Sequence, residues 1–275
     1  MSRFSEDIDV TVFRDDLDLA VSVEDLQAMS RTKRIAMLAR IAGTCRAYVQ
    51  GPLAEQLNAI IAETAKRTSL PHEGFGVRAD DDDDQTLLLW YPPATTVGAY
   101  VRPAIKIESG AKSALDPNAP RILRPYVDQD VPGLDLSVPN VTTVDPRRTF
   151  WDKVVILHGL RRWYERREEL RGGGQRISRH YYDLHRLMAG PVGLEASADT
   201  ELGADCVAHA RMFFDRPDFD LASAQPPTFA LMPHDAMVDA LRRDYVAMAA
   251  MIFGDVPAFD AVLATVGRLE AIING

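Results

Sequence analysis

The sequence predicts an α+β fold, with a mixed β-sheet core followed by a C-terminal α-helical domain. Up to about residue 145, short runs of alternating or β-branched residues are separated by Pro, Gly and Asp, a pattern typical of strands and turns. From residue 149 onward, apolar residues recur about every 3.6 positions, as in amphipathic helices. We therefore expect a core over residues 1–145 and a helical domain over residues 146–275, with the functional site in the cleft between them.

The N-terminal half begins with a predicted strand over residues 7–13, where polar and apolar residues alternate. Helical spacing follows at 22–43 and 53–67, and Ser22 with Asp25 three positions later is a helix-start signal. Four further strand-like runs lie at 86–91, 102–108, 122–127 and 136–144. We expect these runs to form the central sheet.

The C-terminal half is predicted to be mostly helical. A helix of about twenty residues starts near Thr149 and ends at the glycine run 172–174. Ser178 is a good N-cap for a second helix, which ends at Gly190 before Pro191. Further helical spacing occurs at 198–213, 234–252 and 257–273.

Composition excludes several classes of protein. With 275 residues and 47% hydrophobic residues, the chain can bury a large core, but no apolar run approaches the roughly 18 residues that span a bilayer. We therefore expect no membrane association and a cytoplasmic location. Two cysteines permit neither a disulfide framework nor a Cys-rich zinc site. The six His residues show no zinc-like spacing.

Charge is distributed unevenly along the chain. Residues 147–186 contain eleven Lys or Arg against five Asp or Glu, a local charge of +6, so a net charge of −9 leaves −15 for the remainder. A uniformly acidic protein would repel nucleic acid, and the basic segment 147–186 is thus where a polyanion would dock.

Three carboxylates are candidates for metal-assisted chemistry. Asp7 and Asp9 are two positions apart on the first strand, so both point to one face, and a strand ending in Glu108 would pair naturally beside it. Carboxylate oxygens are the ligands that Mg²⁺ prefers, and a third acid could help deprotonate an attacking hydroxyl. The alternative is that these acids form a solvated sheet edge. A separate acidic run at 80–84 lacks the Gly and Glu positions of a calcium-binding loop and is interpreted as a solvated loop.

Two helices carry further candidates. Lys153 lies on the apolar stripe of its helix, where an ammonium group is costly to bury unless it meets an anion such as a triphosphate. Asp183 follows Arg179 by four positions and precedes Arg186 by three, so it is either a site residue or a member of an ion-pair ladder on the helix surface.

Four sequence blocks occur in the order found in one enzyme family. They are Arg3-Phe4-Ser5-Glu6-Asp7-Ile8-Asp9, Ile105-Lys106-Ile107-Glu108-Ser109-Gly110-Ala111-Lys112-Ser113, Thr149-Phe150-Trp151-Asp152-Lys153 and Ser178-Arg179-His180-Tyr181-Tyr182-Asp183-Leu184. In order and spacing, over nearly the whole chain, they resemble the AbiEii/AbiGii nucleotidyltransferase toxins. The resemblance implies a nucleotidyltransferase-like core.

The resemblance also implies roles for individual residues. Asp7, Asp9 and Glu108 would be the Mg²⁺-binding carboxylates, Lys153 and Asp183 would belong to motifs that handle the nucleotide and support activity, and Lys153 and Arg179 would contact the NTP. The implied reaction transfers a nucleoside monophosphate from an NTP to an acceptor hydroxyl, which in this family is associated with tRNA 3′ ends. A cognate antitoxin is expected by the same analogy.

One departure from the family pattern concerns the segment before the Asp-x-Asp strand. Family members carry there a Gly-Gly-Thr/Ser turn leading into a helix that cradles the triphosphate, whereas Met1 falls after that turn. Either the start codon was placed too late or the gene product is genuinely shortened, and in the second case we expect metal binding to persist but NTP positioning to be impaired. Two alternatives therefore stay open: a non-catalytic nucleotidyltransferase fold that binds RNA or a partner protein, and a metal-dependent phosphoesterase that uses water as the nucleophile.

Overall fold

The computed structural model describes residues 3–5, 7–69, 73–93, 103–112, 114–131, 133 and 135–275. Glu6, Arg102 and Ser113, which belong to the predicted strands and sequence blocks, lie outside the described residues, as does Met1. The chain divides into two compact units, Ser5–Ala114 and Leu115–Gly275, and the second unit includes the segment ending at Phe4. The domain boundary proposed at residue 145 stays a prediction.

The first unit contains a mixed four-stranded sheet. Its strands are β1 (Asp7–Thr11), β2 (Gly76–Ala79), β3 (Thr86–Trp90) and β4 (Ala104–Gly110), in the order β1-β4-β3-β2. β1 runs parallel to β4, whereas β3 is antiparallel to both β4 and β2. The pairing of the first strand with the strand of Glu108 is therefore confirmed, and β2 is a strand that the sequence pattern did not predict.

Three helices accompany this sheet: α1 (Val23–Ala28), α2 (Arg31–Tyr48) and α3 (Ala54–Arg67). The helix start predicted at Ser22 is confirmed, because the Ser22 side chain accepts from the backbone N–H of Asp25 and the Asp25 carboxylate accepts in return. A single helix over 22–43 was wrong, since the chain is extended at Met29 and Ser30 and helix resumes until Tyr48. A π-helical turn, Val49–Leu53, leads directly into α3.

The second unit begins with a separate two-stranded antiparallel sheet. Its strands are β5 (Asn118–Leu123) and β6 (Val138–Val144). The sequence placed the first of these strands at 122–127, which was wrong because residues 124 and 125 are irregular and Tyr126–Gln129 form a 3-10 turn. The expectation of one central sheet was also wrong, since among the described strands β5 and β6 form a sheet of their own.

Six α-helices follow in the described part of the second unit. They are α4 (Pro146–Arg167), α5 (Ser178–Met188), α6 (Pro191–Ala198), α7 (Thr200–Phe213), α8 (Asp235–Met248) and α9 (Phe259–Asn274). α4 begins three residues before the predicted start because the Asp145 side chain caps it by accepting from the Arg147 N–H at 2.8 Å. It ends at Arg167, where Glu168 adopts a left-handed conformation, and not at the glycine run.

The core of this unit is built from the inner faces of these helices. Phe150, Trp151, Val154 and Leu157 on α4 are buried with residues of α5, α8 and α9. The cap of α5 is supplied from outside the helix, because the Asp244 carboxylate on α8 accepts from the backbone N–H and the hydroxyl of Ser178 at 2.8 and 2.6 Å. Ser178 is thus the first residue of α5. The prediction from sequence that Ser178 is the N-cap was wrong.

The fold class is a mixed α+β arrangement, as the sequence predicts. In the part of the chain that the structure describes, no helix is both long enough and apolar enough to cross a membrane.

Candidate functional site

Three candidate carboxylates lie on neighbouring strands of the first unit. β1 and β4 are paired so that Asp9 lies beside Glu108 and Asp7 lies beside Lys106. Side chains at directly paired positions of adjacent strands project to the same face, and so do residues two apart on one strand. Asp7, Asp9 and Glu108 therefore share one face of the sheet, together with the Lys106 ammonium.

The carboxylates already have polar contacts. Oε1 of Glu108 lies 2.5 Å from Nζ of Lys106, and Oδ1 of Asp7 accepts from the Ser5 hydroxyl at 2.5 Å. Partial burial lowers the pKa of Lys106. The hydrogen bond to Glu108 and the negative charges of Glu108, Asp80 and Asp83 have a larger effect in the other direction, so the pKa of Lys106 is raised. The Lys106 ammonium thus lies among the candidate carboxylates on this face of the sheet.

The donor set matches a hard divalent cation, although it does not yet form a closed site. Asp7, Asp9 and Glu108 offer only carboxylate oxygens, the ligand type that Mg²⁺ prefers. Within the residues that the structure describes, no group of three or more His, Cys, Asp or Glu side chains is placed to hold a metal ion. A cation at Oε1 of Glu108 would compete with the Lys106 ammonium, and both side chains are partly exposed.

The second set of candidates meets in the helical unit. Lys153 is on α4 and Asp183 is on α5, and their Nζ and Oδ2 atoms are 3.2 Å apart. Arg3 approaches the same carboxylate with two nitrogens, Nε at 2.8 Å from Oδ1 and Nη2 at 2.9 Å from Oδ2. The Asp183 side chain is 0% exposed, and the Lys153 side chain is 17% exposed. Two cations therefore share one buried carboxylate.

The charge state of this cluster follows from its contacts. Burial alone would raise the pKa of Asp183, but the Arg3 hydrogen bonds and the charges of Lys153 and Arg3 lower it below its ordinary value. Asp183 is therefore ionised at neutral pH, and the triad of Arg3, Lys153 and Asp183 has a net charge of about +1.

His180 adds a neutral group beside Lys153. Its Nδ1 lies 3.4 Å from Nζ of Lys153. Burial, together with the positive charges of Lys153, Arg179 and Arg3, lowers the pKa of His180 well below its ordinary value. Because the ring is neutral and an ammonium can only donate, Nδ1 is assigned as the acceptor and the proton as residing on Nε2.

Sequence reasoning missed Arg3 and His180 as members of this cluster. His180 precedes Asp183 by three positions on α5, which places both on one side of the helix, so helical spacing was a usable signal. No such signal existed for Arg3, which is separated from Asp183 by 180 positions. Arg179 was predicted as a nucleotide contact; it is partly buried on α5, next to His180, and that role stays a prediction.

The basic segment 147–186 is less open than its sequence suggested. At least seven of its eleven cations form an ion pair with a carboxylate: Arg147, Arg148, Lys153, Arg161, Arg162, Arg166 and Arg167. Several of these partners, such as Asp218 and Asp220, come from outside the segment. Much of the local positive charge is therefore balanced within the fold.

Two further ionisable side chains on α4, those of Arg148 and Asp152, are largely removed from solvent. Arg148 is 1% exposed and donates from Nη1 to Asp205 at 2.6 Å and to the Asp116 carbonyl at 2.7 Å. Asp152 lies one turn further along the helix. Its burial, which the charges of Arg148 and Lys153 offset only in part, raises the pKa of its carboxyl to about 6.

Comparison with known proteins gives one match. Residues 1–265 match the model of the family described as nucleotidyl transferase AbiEii toxin, type IV TA system. No curated protein and no solved structure matches the chain.

Proposed function

This chain belongs to the AbiEii family of nucleotidyltransferase toxins, and on that premise we propose that it transfers a nucleoside monophosphate from an NTP to an acceptor hydroxyl. The family expected from the four sequence blocks is confirmed by the match over residues 1–265. In the proposed reaction the acceptor oxygen bonds to the α-phosphorus, the bond from that phosphorus to the bridging oxygen breaks, and pyrophosphate leaves. The acceptor proton passes to a carboxylate or to solvent.

The observation that carries the proposal is the register of β1 against β4. It puts Asp9 directly beside Glu108, with Asp7 two positions away on the same face. These three residues would hold Mg²⁺, which supplies charge stabilisation to the phosphoryl oxygens when it is bound. A solvated sheet edge would not require three acids on the same side of two neighbouring strands.

The helical unit would contribute positive charge. Lys153 belongs to a cluster with net charge of about +1 and keeps part of its side chain exposed, so it can offset the charge of the triphosphate. Arg179, on α5, would assist it. Asp183 is ionised and holds Lys153 from the buried side.

The acceptor and the partner are proposed from the family. A tRNA 3′ end is the acceptor we favour, reached through cations of the segment 147–186. At least seven of these eleven cations are already in ion pairs, which predicts weak binding of RNA as such. Type IV toxin–antitoxin membership implies an antitoxin partner. We place the activity in the cytoplasm, where NTPs and tRNA occur together.

The test is incubation of the full chain with Mg²⁺, each α-labelled NTP in turn, and bulk tRNA. We expect label on the RNA, its loss with EDTA, and a decrease of at least about a hundredfold in Asp9→Asn. Asp16→Asn, an acid of the same unit outside the paired strands, should keep wild-type transfer. Phosphate release without labelled RNA would instead identify a phosphoesterase, and retarded RNA without any chemistry would identify a non-catalytic binding protein.

A further inference from the structure

Both oxygens of the Asp183 carboxylate are occupied by cations. Oδ1 accepts from Nε of Arg3, and Oδ2 accepts from Nη2 of Arg3 and lies 3.2 Å from Nζ of Lys153. The side chain is fully buried and ionised. A carboxylate with a lowered pKa, enclosed by two cations, is poorly suited to take a proton from an acceptor hydroxyl. The geometry therefore favours an indirect role, exerted through its neighbours.

Arg3 is held at both its main chain and its side chain. Its backbone forms a β-bridge with Ile252, and the next residue, Phe4, donates its N–H to the Met251 carbonyl at 2.7 Å. The Arg3 side chain is 10% exposed, and its guanidinium meets Asp183 through two parallel hydrogen bonds, which fix the plane of the carboxylate. A lysine could supply the charge at this position but not the two-pronged geometry.

Arg3 and Lys153 make different contacts with Asp183. Arg3 takes one hydrogen bond at each carboxylate oxygen, so Asp183 cannot turn to neutralise Lys153 alone. Lys153 is held by one oxygen of Asp183 and by Nδ1 of His180, and it is the more exposed of the two cations. Lys153 is thus the better placed of the two cations to meet an anionic group arriving from solvent.

We propose that Arg3 is a positioning residue for nucleotidyl transfer: it fixes the Asp183 carboxylate, and through Asp183 it holds the Lys153 ammonium in place for the triphosphate. This inference rests on the proposed function for its kinetic consequence. Arg3 itself does not contact the substrate. Its effect should therefore depend entirely on the presence of Asp183.

The kinetic test is a double-mutant cycle of Arg3→Gln and Asp183→Asn, measured as kcat and KM for the NTP. We expect each single variant to lower kcat/KM by about ten- to a hundredfold, as a displaced substrate-positioning group does. The double variant should lose no more than the worse single variant, because both changes break one unit. Arg3→Lys should recover part of the loss. Arg242→Gln, which removes an exposed ion pair with Asp260, is the matched control and should behave as wild type.

A second readout does not depend on activity. In protein labelled with ¹³C at the aspartate carboxyls, the Asp183 signal of the wild type should titrate below the ordinary range, and Arg3→Gln should move its pKa upward because burial is then opposed by Lys153 alone. Arg3→Lys should give an intermediate value. Circular dichroism establishes that each variant is folded, and if Arg3→Gln is not, the comparison is made with Arg3→Lys.

The outcomes separate the two proposals. An unchanged Asp183 titration in a folded Arg3 variant, or losses that multiply in the double variant, would overturn the positioning role. Wild-type protein that transfers no nucleotide, but in which Arg3 substitution shifts the Asp183 titration, would overturn the proposed function while the Arg3–Asp183–Lys153 link stands.

Discussion

Nζ of Lys106 lies 2.5 Å from Oε1 of Glu108, on the face of the sheet that also carries Asp7 and Asp9. The ammonium is therefore a counter-ion for the carboxylate that would otherwise be available to a divalent cation. Because one Glu108 oxygen cannot serve Lys106 and a metal ion equally well, the proposed Mg²⁺ would compete with Lys106 for Glu108.

Replacing Lys106 by Met should make divalent cations bind more tightly. The substitution keeps an unbranched side chain of similar length and removes its charge. It therefore frees Glu108 and removes a charge that repels a metal cation from the face. We expect the Mn²⁺ dissociation constant, measured by electron paramagnetic resonance, to fall by about three- to tenfold, since a partly exposed charge contact is worth on the order of 1 kcal/mol. Lys66→Met, on α3, is the control and should leave Mn²⁺ binding unchanged. Equal or weaker binding in Lys106→Met would contradict competition.

Asp183→Asn should strongly destabilise the protein at neutral pH. It leaves Arg3 and Lys153 without their shared counter-ion, and breaking a buried pair costs about 3–5 kcal/mol. The pKa of Asp183 is lowered in the folded state, so its stabilising contribution is present above the unfolded value of about 4 and is lost as the pH falls through the folded value.

Urea denaturation across pH 3 to 8 measures this difference. The gap in free energy of unfolding between wild type and Asp183→Asn should be constant from pH 8 to about 5 and should narrow below about 4. A gap that widens on acidification would show that Asp183 is protonated in the native state at neutral pH.

Asp152 should behave in the opposite way. Its folded pKa of about 6 lies above the unfolded value, so its ionisation opposes folding: the favourable contribution is full below about pH 4 and is lost as the pH rises through about 6. A shift of about two units corresponds to about 3 kcal/mol, and Asp152→Asn should recover up to that amount at pH 8.

The Asp152→Asn variant is compared with wild type by urea denaturation at pH 4.5 and pH 8. The gain should be large at pH 8 and small at pH 4.5, where the wild-type carboxyl is already mostly protonated. Asp260→Asn, at an exposed carboxylate paired with Arg242, is the control and should change stability little at either pH. A stabilisation of the same size at both pH values would rule out titration of Asp152 as its cause.

The features that could be predicted from the sequence are those determined by residues close together in the chain. The capping pair Ser22 and Asp25 and the strand of Asp7 and Asp9 depend on residues within about one turn or along one strand, and both were found as expected. The apolar stripe expected to carry Lys153 was only partly right: Leu160 is buried, but Ile156 is 38% exposed, and the buried face of α4 includes Phe150, Trp151, Val154 and Leu157 instead. The alternation on β1 and β4 also fixes which residues share a face once the strands pair. Periodicity and spacing contain this information directly.

What could not be predicted depends on contacts between distant segments. Arg3 reaches Asp183 across 180 positions, and Asp244 caps α5 from α8 across 66 positions from Ser178. The basic segment 147–186 looked open because its carboxylate partners, Asp218 and Asp220 among them, lie beyond it in sequence. Charge counted in a sequence window does not show which charges the fold pairs.

The tight contact between Gly203 on α7 and Trp151 on α4 gives the last prediction. Gly203 on α7 faces the ring of Trp151, which is 2% exposed, and a Cβ added at Gly203 would lie 2.8 Å from Cε2 and Cζ2 of that ring. The indole cannot move away easily, because its Nε1 donates to the Ala196 carbonyl at 2.9 Å. Gly203→Ala should therefore destabilise the protein by about 1–3 kcal/mol, even though alanine favours a helix.

Thermal and urea denaturation of two glycine variants test this explanation against simple helix propensity. Gly43→Ala, inside α2 with open space around the added Cβ, should stabilise by up to about 1 kcal/mol. Combining Gly203→Ala with Trp151→Phe, which shrinks the ring, should cost less than the sum of the two single changes, because the smaller ring accepts the methyl group. If Gly203→Ala also stabilises, or if its cost is unaffected by Trp151→Phe, contact with the indole is not the reason that this position holds glycine.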